Sequence, residues 1–302
     1  MTYQQALDIR VENVSHQYRQ GIQALKNVSF ELGTGLHGLL GENGAGKSTL
    51  MRIICSLLSP SAGNVCIAGF DVVKERHQVR QLLGYLPQEF GAWRNHRVSE
   101  VLDTLAMLSG MTASRDRHKR IHEVLAMVGL DKVAGRKVGH LSGGMLRRLG
   151  VAQALVHNPR ILVMDEPTVG LDPEERLRFR QLIGELSRDR VILLSTHIVA
   201  DLGASCEQLC LMVQGQLKFC GKPQDLVNRA AGKVWQVSLS RADEASVPDS
   251  FEVVSRQTRD GQSLVRGVCH DHRIPEGAAA ADNITLEEAY LAFTVDTGKH
   301  AA

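Results

Sequence analysis

Apolar and polar residues alternate near the start of this 302-residue chain, and the alternation predicts paired strands there. DIRVENVSHQY and ALKNVSFEL, between residues 8 and 32, have the period of two that is typical of half-buried strands. SAGNVCIAGFDV predicts a hairpin with turns at Gly63-Asn64 and Gly69, and CLMVQGQLKFCG predicts another hairpin.

Predominantly apolar runs predict a second kind of strand, which is buried on both faces as in a parallel sheet. Three such runs are LHGLL (36–40), ILVMDEP (161–167) and VILLSTH (191–197). LLGYL predicts a shorter strand that Pro87 interrupts, because proline cannot donate to the ladder.

Helical periodicity separates these strands. It covers residues 98–129, the segment from Ser142 through LRRLGVAQALVHN, and PEERLRFRQLIGELSRD. Because strands alternate with helices, we expect an α/β core with a parallel sheet. We interpret the helical block at about 89–152 as an insertion into that core.

The chain changes character after Gly232. WQVSLS, FEVVSRQ and SLVRGVC alternate like half-buried strands, and TLEEAYLAF predicts a short terminal helix. We therefore expect a main domain at 1–232 and a small α+β accessory domain at 233–302, whose role the sequence leaves open.

Composition excludes several classes of protein. Hydrophobic residues make up 43% of the chain, and the net charge of +2 gives no electrostatic argument for nucleic acid or an anionic membrane. Apolar runs fall short of the roughly 20 residues that span a bilayer, and the N-terminus lacks the pattern of a secretory signal. We therefore expect a cytoplasmic protein with reduced cysteines. Cys206, Cys210 and CHDH (269–272) lack zinc-site spacing, so we interpret them as packed residues and a polar loop.

The run GENGAGKST, between a predicted strand and a predicted helix, matches the phosphate-binding loop pattern. Its backbone N–H groups can point at one spot, where the helix dipole adds positive potential. In that pattern Lys47 reaches the β- and γ-phosphates of a nucleotide, and Ser48 holds Mg²⁺. A glycine-rich turn that binds nothing would match the pattern in roughly 1 of 100 chains of this length. The candidate nucleotide ligands are Gly41, Glu42, Asn43, Gly44, Ala45, Gly46, Lys47, Ser48 and Thr49.

Two acids end the apolar strand ILVMDEP. Asp165 can hold Mg²⁺ through water, and Glu166 is placed to act as general base on a water that attacks the γ-phosphate. On their own, these acids are equally well explained as the solvated end of a strand. The phosphate loop upstream favours the functional interpretation.

Five further elements occur in a fixed chain order. Tyr18 offers a ring that could stack on adenine, Gln88 could bridge Mg²⁺ and the attacking water, and His197 could contact the γ-phosphate. LSGGM (141–145) opens a predicted helix and offers a second anion site at its N-terminus. TVGLD (168–172) follows the acidic strand.

Over roughly residues 8 to 222 these elements resemble the ATP-binding-cassette (ABC) ATPases. The LSGG core is the most specific of them, because other phosphate-loop families lack it. The resemblance implies a RecA-like P-loop NTPase core with a mixed sheet, an inserted α-helical subdomain and a small C-terminal α+β appendage. The matching family elements are the A-loop (Tyr18), Walker A (41–49), the Q-loop (Gln88), the signature motif (141–145), Walker B (161–165, then Glu166), the D-loop (170–172) and the H-loop (His197).

In this family the signature motif of one subunit faces the Walker A loop of another, so the resemblance implies a homodimer that encloses two ATP molecules. It implies Glu166, His197 and Gln88 as catalytic residues. It implies Ser48, Gln88 and Asp165 as Mg²⁺ ligands. The remaining ATP ligands that it implies are Tyr18, Asp172 and, from the other subunit, Ser142, Gly143 and Gly144.

The resemblance also implies a membrane partner. Met145 stands where the family usually has Gln, which resembles the exporter branch whose ATPase is a separate polypeptide. We therefore expect export of an unidentified substrate through a permease, with this chain on the cytoplasmic face of the membrane. Phe90 and Trp93 are candidate permease contacts, although packing of Trp93 under the helical segment explains it equally well. An importer ATPase and a non-transport ABC ATPase are the alternatives.

Overall fold

The computed structural model of the chain describes residues 7–203, 205–240, 250–259, 262–269 and 274–297. The chain divides into two compact units, Met1–Cys220 and Gly221–Ala302. The boundary expected after Gly232 thus falls within the second unit. Residues 270–272 of the CHDH segment lie outside the described residues.

Strands alternate with helices in the first unit. Its strands are β1 (Ile9–Gln17), β2 (Gln23–Leu32), β3 (Gly35–Leu40), β4 (Ala62–Ile67), β5 (Phe70–Asp71), β6 (Leu83–Leu86), β7 (Ile161–Asp165), β8 (Val191–Thr196), β9 (Cys206–Val213) and β10 (Gln216–Gly221). Its α-helices are α1 (Lys47–Ile54), α2 (Arg76–Leu82), α3 (Val98–Leu108), α4 (Ser114–Met127), α5 (Gly143–Leu155) and α6 (Pro173–Leu186). Short 3₁₀ turns lie at Asp131–Val133, Val138–His140 and Val199–Asp201.

Six strands form the central sheet in the order β10-β9-β3-β8-β7-β6. β3 runs parallel to β8 and β9, and β7 runs parallel to β8 and β6. Every residue of β3, β7 and β8 is buried, which explains their predominantly apolar sequences. Their carboxyl ends therefore meet at one edge of the sheet, where the phosphate loop, the two acids and His197 follow. This arrangement confirms the predicted α/β core.

A second sheet, of order β2-β1-β4-β5, contributes its apolar side chains to the same core as α1. The turn expected at Gly63-Asn64 is wrong, because both residues lie within β4. Glycine is needed at position 63 for another reason: a Cβ there would lie 2.3 Å from the carbonyl oxygen of Asn13 on β1. The turn expected at Gly69 is confirmed between β4 and β5.

Helices α3, α4 and α5 occupy the segment that periodicity predicts to be helical. Ser142 is the N-cap of α5, and its hydroxyl accepts a hydrogen bond from the N–H of Met145 at 3.2 Å. α5 ends at Leu155, before the expected end at Asn158, which has a positive φ. α2 is not predicted by the sequence, since a seven-residue helix that buries Val79 shows little periodicity.

The second unit has its own sheet and helices. Its elements are α7 (Pro223–Arg229), β11 (Val234–Ser240), β12 (Phe251–Arg259), β13 (Gln262–Cys269), β14 (Ala279–Ala280) and α8 (Leu286–Asp296), and its sheet has the order β12-β13-β11-β14. A capping box between Thr285 and Glu288 begins α8, and Arg266 of β13 donates to the same glutamate at 2.7 Å. The strands and the terminal helix are present where alternation predicts them, whereas α7 is not predicted.

Within the described ranges, each helix is too short or too polar to cross a membrane. The same residues contain no group of three or more His, Cys, Asp and Glu side chains that could hold a metal ion. Cys206 and Cys210 are both buried on β9, as expected of packed residues.

Candidate functional site

The loop 41–46 joins β3 to α1 in a geometry that requires glycine. Gly44 and Gly46 have φ angles of 82° and 100°, in the region that favours glycine. A Cβ at Gly41 would lie 2.5 Å from the carbonyl oxygen of Met212, and one at Gly46 would lie 2.6 Å from that of Ala24. The loop thus fits closely against neighbouring backbone and leads directly into the N-terminus of α1, where the helix dipole favours an anion.

Lys47 is the first residue of α1 and is buried. Its Nζ donates to the carbonyl oxygens of Gly41 at 2.6 Å and Glu42 at 3.1 Å. The same Nζ lies 3.7 Å from Oε1 of Glu166. The ammonium group is therefore held across the loop and faces the end of β7.

A cleft of about 580 Å³ opens beside the loop and contains several of the predicted site residues. It is lined by Lys47, Ser48, Gln88 and Glu166, among others. An adjoining cleft of about 560 Å³ contains Ser48 and Gln88 again, together with Asp165. The structure therefore brings predicted residues from three separate segments, the phosphate loop, the Gln88 segment and the end of β7, to one place.

The end of β7 is fixed by contacts with β8. Ser195 of β8 donates to Oδ1 of Asp165 at 2.5 Å and accepts from the N–H of Glu166 at 3.1 Å. Glu166 has a φ of 49°, an uncommon value for a residue with a side chain. Such conformations cluster at functional sites, where the surrounding structure maintains them. Ser195 is not predicted from the sequence, although its position two residues before the predicted His197 could have indicated it.

The Glu166 carboxylate is buried, and its two oxygens have different surroundings. Nδ1 of His197 lies 2.9 Å from Oε2. Oε1 faces Lys47 and has no hydrogen-bond partner among the described residues. Glu166 thus connects Lys47 of the phosphate loop to His197, which follows β8, and its Oε1 is buried beside the Lys47 ammonium.

Arg147 is a residue of the site that sequence reasoning missed. Its guanidinium donates to five backbone carbonyls: those of Pro87 and Gln88 at 3.0 and 2.8 Å, Asp165 and Glu166 at 2.7 and 2.5 Å, and Pro167 at 3.1 Å. Burial lowers the pKa of Arg147, and the charges of Asp165 and Glu166 oppose that effect. This side chain therefore joins α5 to the segment of Gln88 and to the end of β7.

The segment TVGLD is anchored by a buried acid. Thr168 donates to Oδ2 of Asp201 at 2.6 Å, and Thr196 donates to the same oxygen at 3.2 Å. Oδ1 of Asp172 accepts from the N–H of Glu175 at 2.8 Å, so Asp172 is the N-cap of α6.

Tyr18 and residues 142–144 are not among the residues that line either cleft. The hydroxyl of Tyr18 is 3.0 Å from Oγ1 of Thr49, and the Tyr18 ring contacts His16 edge-on with centroids 4.8 Å apart. Gly144 packs against Glu175, because a Cβ there would lie 2.0 Å from Oε2 of that residue. Within the described part of the chain, no hydrogen bond or ion pair links residues 142–144 to the phosphate loop.

The two aromatic residues after Gln88 differ in exposure. Phe90 is half-buried and packs near Gly150, where a Cβ would lie 3.1 Å from its ring. Trp93 is 48% exposed, and its ring centroid lies 5.8 Å from that of His96. Of the pair, Trp93 is therefore the one that is open to a partner.

Comparison with known proteins agrees with this geometry. The family model described as "ABC transporter" matches residues 25–169. The ABC transporter ATP-binding protein YxlF of Bacillus subtilis (strain 168), itself uncharacterized, is 36% identical over 234 residues, which are 76% of each chain. The linearmycin resistance ATP-binding protein LnrL of the same organism is 33% identical over 78% of this chain and 76% of its own length. The Nod factor export ATP-binding protein I of Burkholderia orbicola (strain AU 1054) is 34% identical over 85% of this chain and 84% of its own.

Solved structures give the same result. A dimeric structure of MJ0796, a bacterial ABC transporter cassette, matches with a TM-score of 0.66 and 28% sequence identity. The match covers 71% of this chain and 98% of that one. By fold, sequence and site, this chain belongs to the family of ABC transporter ATP-binding proteins.

Proposed function

We propose that this chain hydrolyses ATP with the help of Mg²⁺ and uses the energy to drive export of a substrate through a separate membrane permease. The observation that carries this proposal is the cleft where Lys47, Ser48, Gln88 and Glu166 meet beside a glycine loop and a helix N-terminus. A polyphosphate fits such a site, since N–H groups and an ammonium surround it.

Each residue has a defined role in the proposed reaction. The loop N–H groups and Lys47 hold the phosphates, and Gln88 orients a water molecule toward the γ-phosphorus. Glu166, which is among the residues that line the cleft, accepts the proton of that water on its carboxylate. His197 holds the other oxygen of the carboxylate and so fixes its direction.

The residues near the adjoining cleft also fit a magnesium ion. Ser48, Gln88 and Asp165 offer hydroxyl, amide and carboxylate oxygens, the ligand types that Mg²⁺ prefers. These residues would hold Mg²⁺, which would supply positive charge against the charge that develops on the phosphates. Ser195 keeps Asp165 oriented through its hydrogen bond to Oδ1.

We infer that the complete site forms between two copies of the chain, because the candidate signature residues 142–144 make no hydrogen bond or ion pair with the phosphate loop within the described part. Ser142 caps α5, and the first N–H groups of that helix can bind a second face of the γ-phosphate. The dimeric structure of MJ0796 supports such a pairing. ATP would then act as the contact that closes the dimer.

Mixing two inactive variants tests this arrangement. Lys47→Ala removes the phosphate ligand, and Ser142→Arg fills the signature site, so each variant alone should lose steady-state ATP hydrolysis. Equimolar mixing should restore about a quarter of the wild-type rate, since about half of the dimers are mixed and each of these has one complete site of two.

The matched control replaces the second variant with a chain that carries both substitutions. That mixture has no intact Lys47 opposite an intact Ser142 and should stay inactive. Hydrolysis by Ser142→Arg alone at the wild-type rate would contradict a site shared between copies.

Export is supported by the names of two relatives, one for linearmycin resistance and one for Nod factor export. We propose Trp93 as the permease contact, because a half-exposed aromatic ring close in sequence to Gln88 is typical of an interface.

Trp93→Ala should weaken association with the permease and leave ATP affinity unchanged, because Trp93 does not line either cleft. Co-purification with the tagged permease and titration with a fluorescent ATP analogue measure the two effects. Val73→Ala, at another exposed apolar residue, is the control. Unchanged co-purification of Trp93→Ala would remove this residue from the interface.

A further inference from the structure

Two thiols lie side by side on the hairpin β9–β10. The Sγ atoms of Cys210 and Cys220 are 2.6 Å apart. That distance is between the bonded S–S length of about 2.05 Å and the separation of atoms in ordinary contact, about 3.5–4.0 Å. The strands that carry them are neighbours in the sheet, and neighbouring strands have the Cα separation that a disulfide needs.

The two thiols differ in their surroundings. Cys210 is fully buried in the core, whereas Cys220 is partly exposed at its edge. The amide of Gln208 donates to Sγ of Cys220 at 3.4 Å. Hydrogen bonds from Cys210 and Gln208 lower the pKa of Cys220, and the Cys220 contact together with burial raises the pKa of Cys210. The sulfur of Cys220 is thus the better nucleophile, and the sulfur of Cys210 lies close enough to react with its oxidation product.

The hairpin that holds this pair also forms part of the nucleotide cleft. Its turn residues, Gln214 and Gly215, line the cleft, and the N–H of Gly215 donates to the carbonyl oxygen of Ala45 at 3.0 Å. The carbonyl oxygen of Met212 lies against Gly41, as described above. A covalent bond between Cys210 and Cys220 would therefore join the two strands directly behind the phosphate loop.

We propose that Cys210 and Cys220 are a site of reversible oxidation to an intramolecular disulfide. With a hydroperoxide, the Cys220 thiolate attacks one peroxide oxygen and becomes a sulfenic acid, while the other oxygen leaves as water or an alcohol. Cys210 then attacks the Cys220 sulfur, the S–S bond forms, and the hydroxyl leaves as water. Two thiols are oxidised by two electrons, the peroxide is reduced by two, and a small-molecule thiol reverses the change. Because the sulfur atoms are already adjacent, the bond forms without rearrangement of the hairpin, and the oxidised protein keeps its affinity for ATP.

Mass spectrometry of the 302-residue chain tests this site. The protein is treated with hydrogen peroxide, its remaining thiols are alkylated in denaturant, and it is digested with trypsin without reduction. Cys206 and Cys210 share the tryptic peptide 191–218, and Cys220 lies in the peptide 219–229, because Pro223 prevents cleavage after Lys222. The two peptides should appear joined, and dithiothreitol should separate them.

Two variants identify the bonded pair. Cys220→Ser should abolish the joined species, and the matched variant Cys206→Ser, which removes the other cysteine of the same peptide, should retain it. Free, fully alkylated Cys220 in the oxidised wild-type chain would overturn the proposal, as would loss of the joined species in Cys206→Ser. Titration of the oxidised and reduced chains with a fluorescent ATP analogue tests whether the cleft is kept. If neither chain binds ATP, the proposed function fails while the disulfide result stands.

Discussion

Glu166→Gln should abolish ATP hydrolysis and leave ATP binding intact. The substitution keeps the size and shape of a side chain that lies buried between Lys47 and His197. An amide cannot take a proton from the attacking water, and general-base catalysis contributes about 10²- to 10⁴-fold to such reactions. We therefore expect hydrolysis to fall by about 10²- to 10⁴-fold, while ATP binds and holds the two copies together.

Three measurements check this result. Steady-state phosphate release gives the rate, a fluorescent ATP analogue gives the affinity, and size-exclusion chromatography with ATP and Mg²⁺ gives the fraction of dimer. Glu31→Gln makes the same change at an exposed glutamate on β2 and should leave all three unchanged. If Glu166→Gln hydrolyses ATP at the wild-type rate, another residue is the base.

The sequence predicts the parts of this site that depend on local pattern. Predominantly apolar runs predict β3, β7 and β8, because strands buried on both faces tolerate few polar residues. The glycines at 41, 44 and 46 are required by close backbone contacts and by positive φ, so their spacing marks the loop. Parallel strands end at the same edge, which is why Lys47 and Glu166 could be expected to meet.

Interactions with the backbone could not be predicted in this way. All five acceptors of Arg147 are carbonyl oxygens, which every residue has, so the sequence does not mark them as partners of an arginine. Ser195 binds Asp165 across two strands that are far apart in the sequence. Gly63 suggests a turn in the sequence, but glycine is needed there because the residue packs against the backbone of Asn13. The local sequence pattern does not show that contact.

α5 is predicted from the sequence and α2 is not, because the two helices differ in length and in the number of residues they bury. α5 buries residues over three turns, and its period is readable from the sequence even though its end is not. α2 is short and buries Val79, so it shows little helical periodicity. The run LLGYL begins at Leu82, which is the last residue of α2, so the sequence pattern places this residue in the strand. Tertiary contacts therefore decide the boundary between α2 and β6.

Arg147→Met should lower the rate of ATP hydrolysis by more than the loss of folded protein alone would explain. The guanidinium holds the carbonyl oxygens of Gln88 and Glu166, and so fixes two segments that must position the water and the base. A displacement of about 1 Å at such groups can cost about 10²-fold in rate. We expect kcat to fall by about 10- to 100-fold with little change in ATP affinity, and the free energy of unfolding to drop by about 2–4 kcal/mol because buried carbonyls lose their donor.

Arg120→Met separates positioning from stability. Arg120 also donates to backbone carbonyls, those of Leu155 and Val156 at the far end of α5, but it contacts neither Gln88 nor Glu166. It should lose a similar free energy of unfolding, measured by urea titration, and keep the wild-type kcat per folded molecule. Arg147→Lys should recover little activity, because an ammonium has three donors and lacks the planar fork that reaches both segments at once. Equal losses of kcat in Arg147→Met and Arg120→Met would show that Arg147 acts through stability alone.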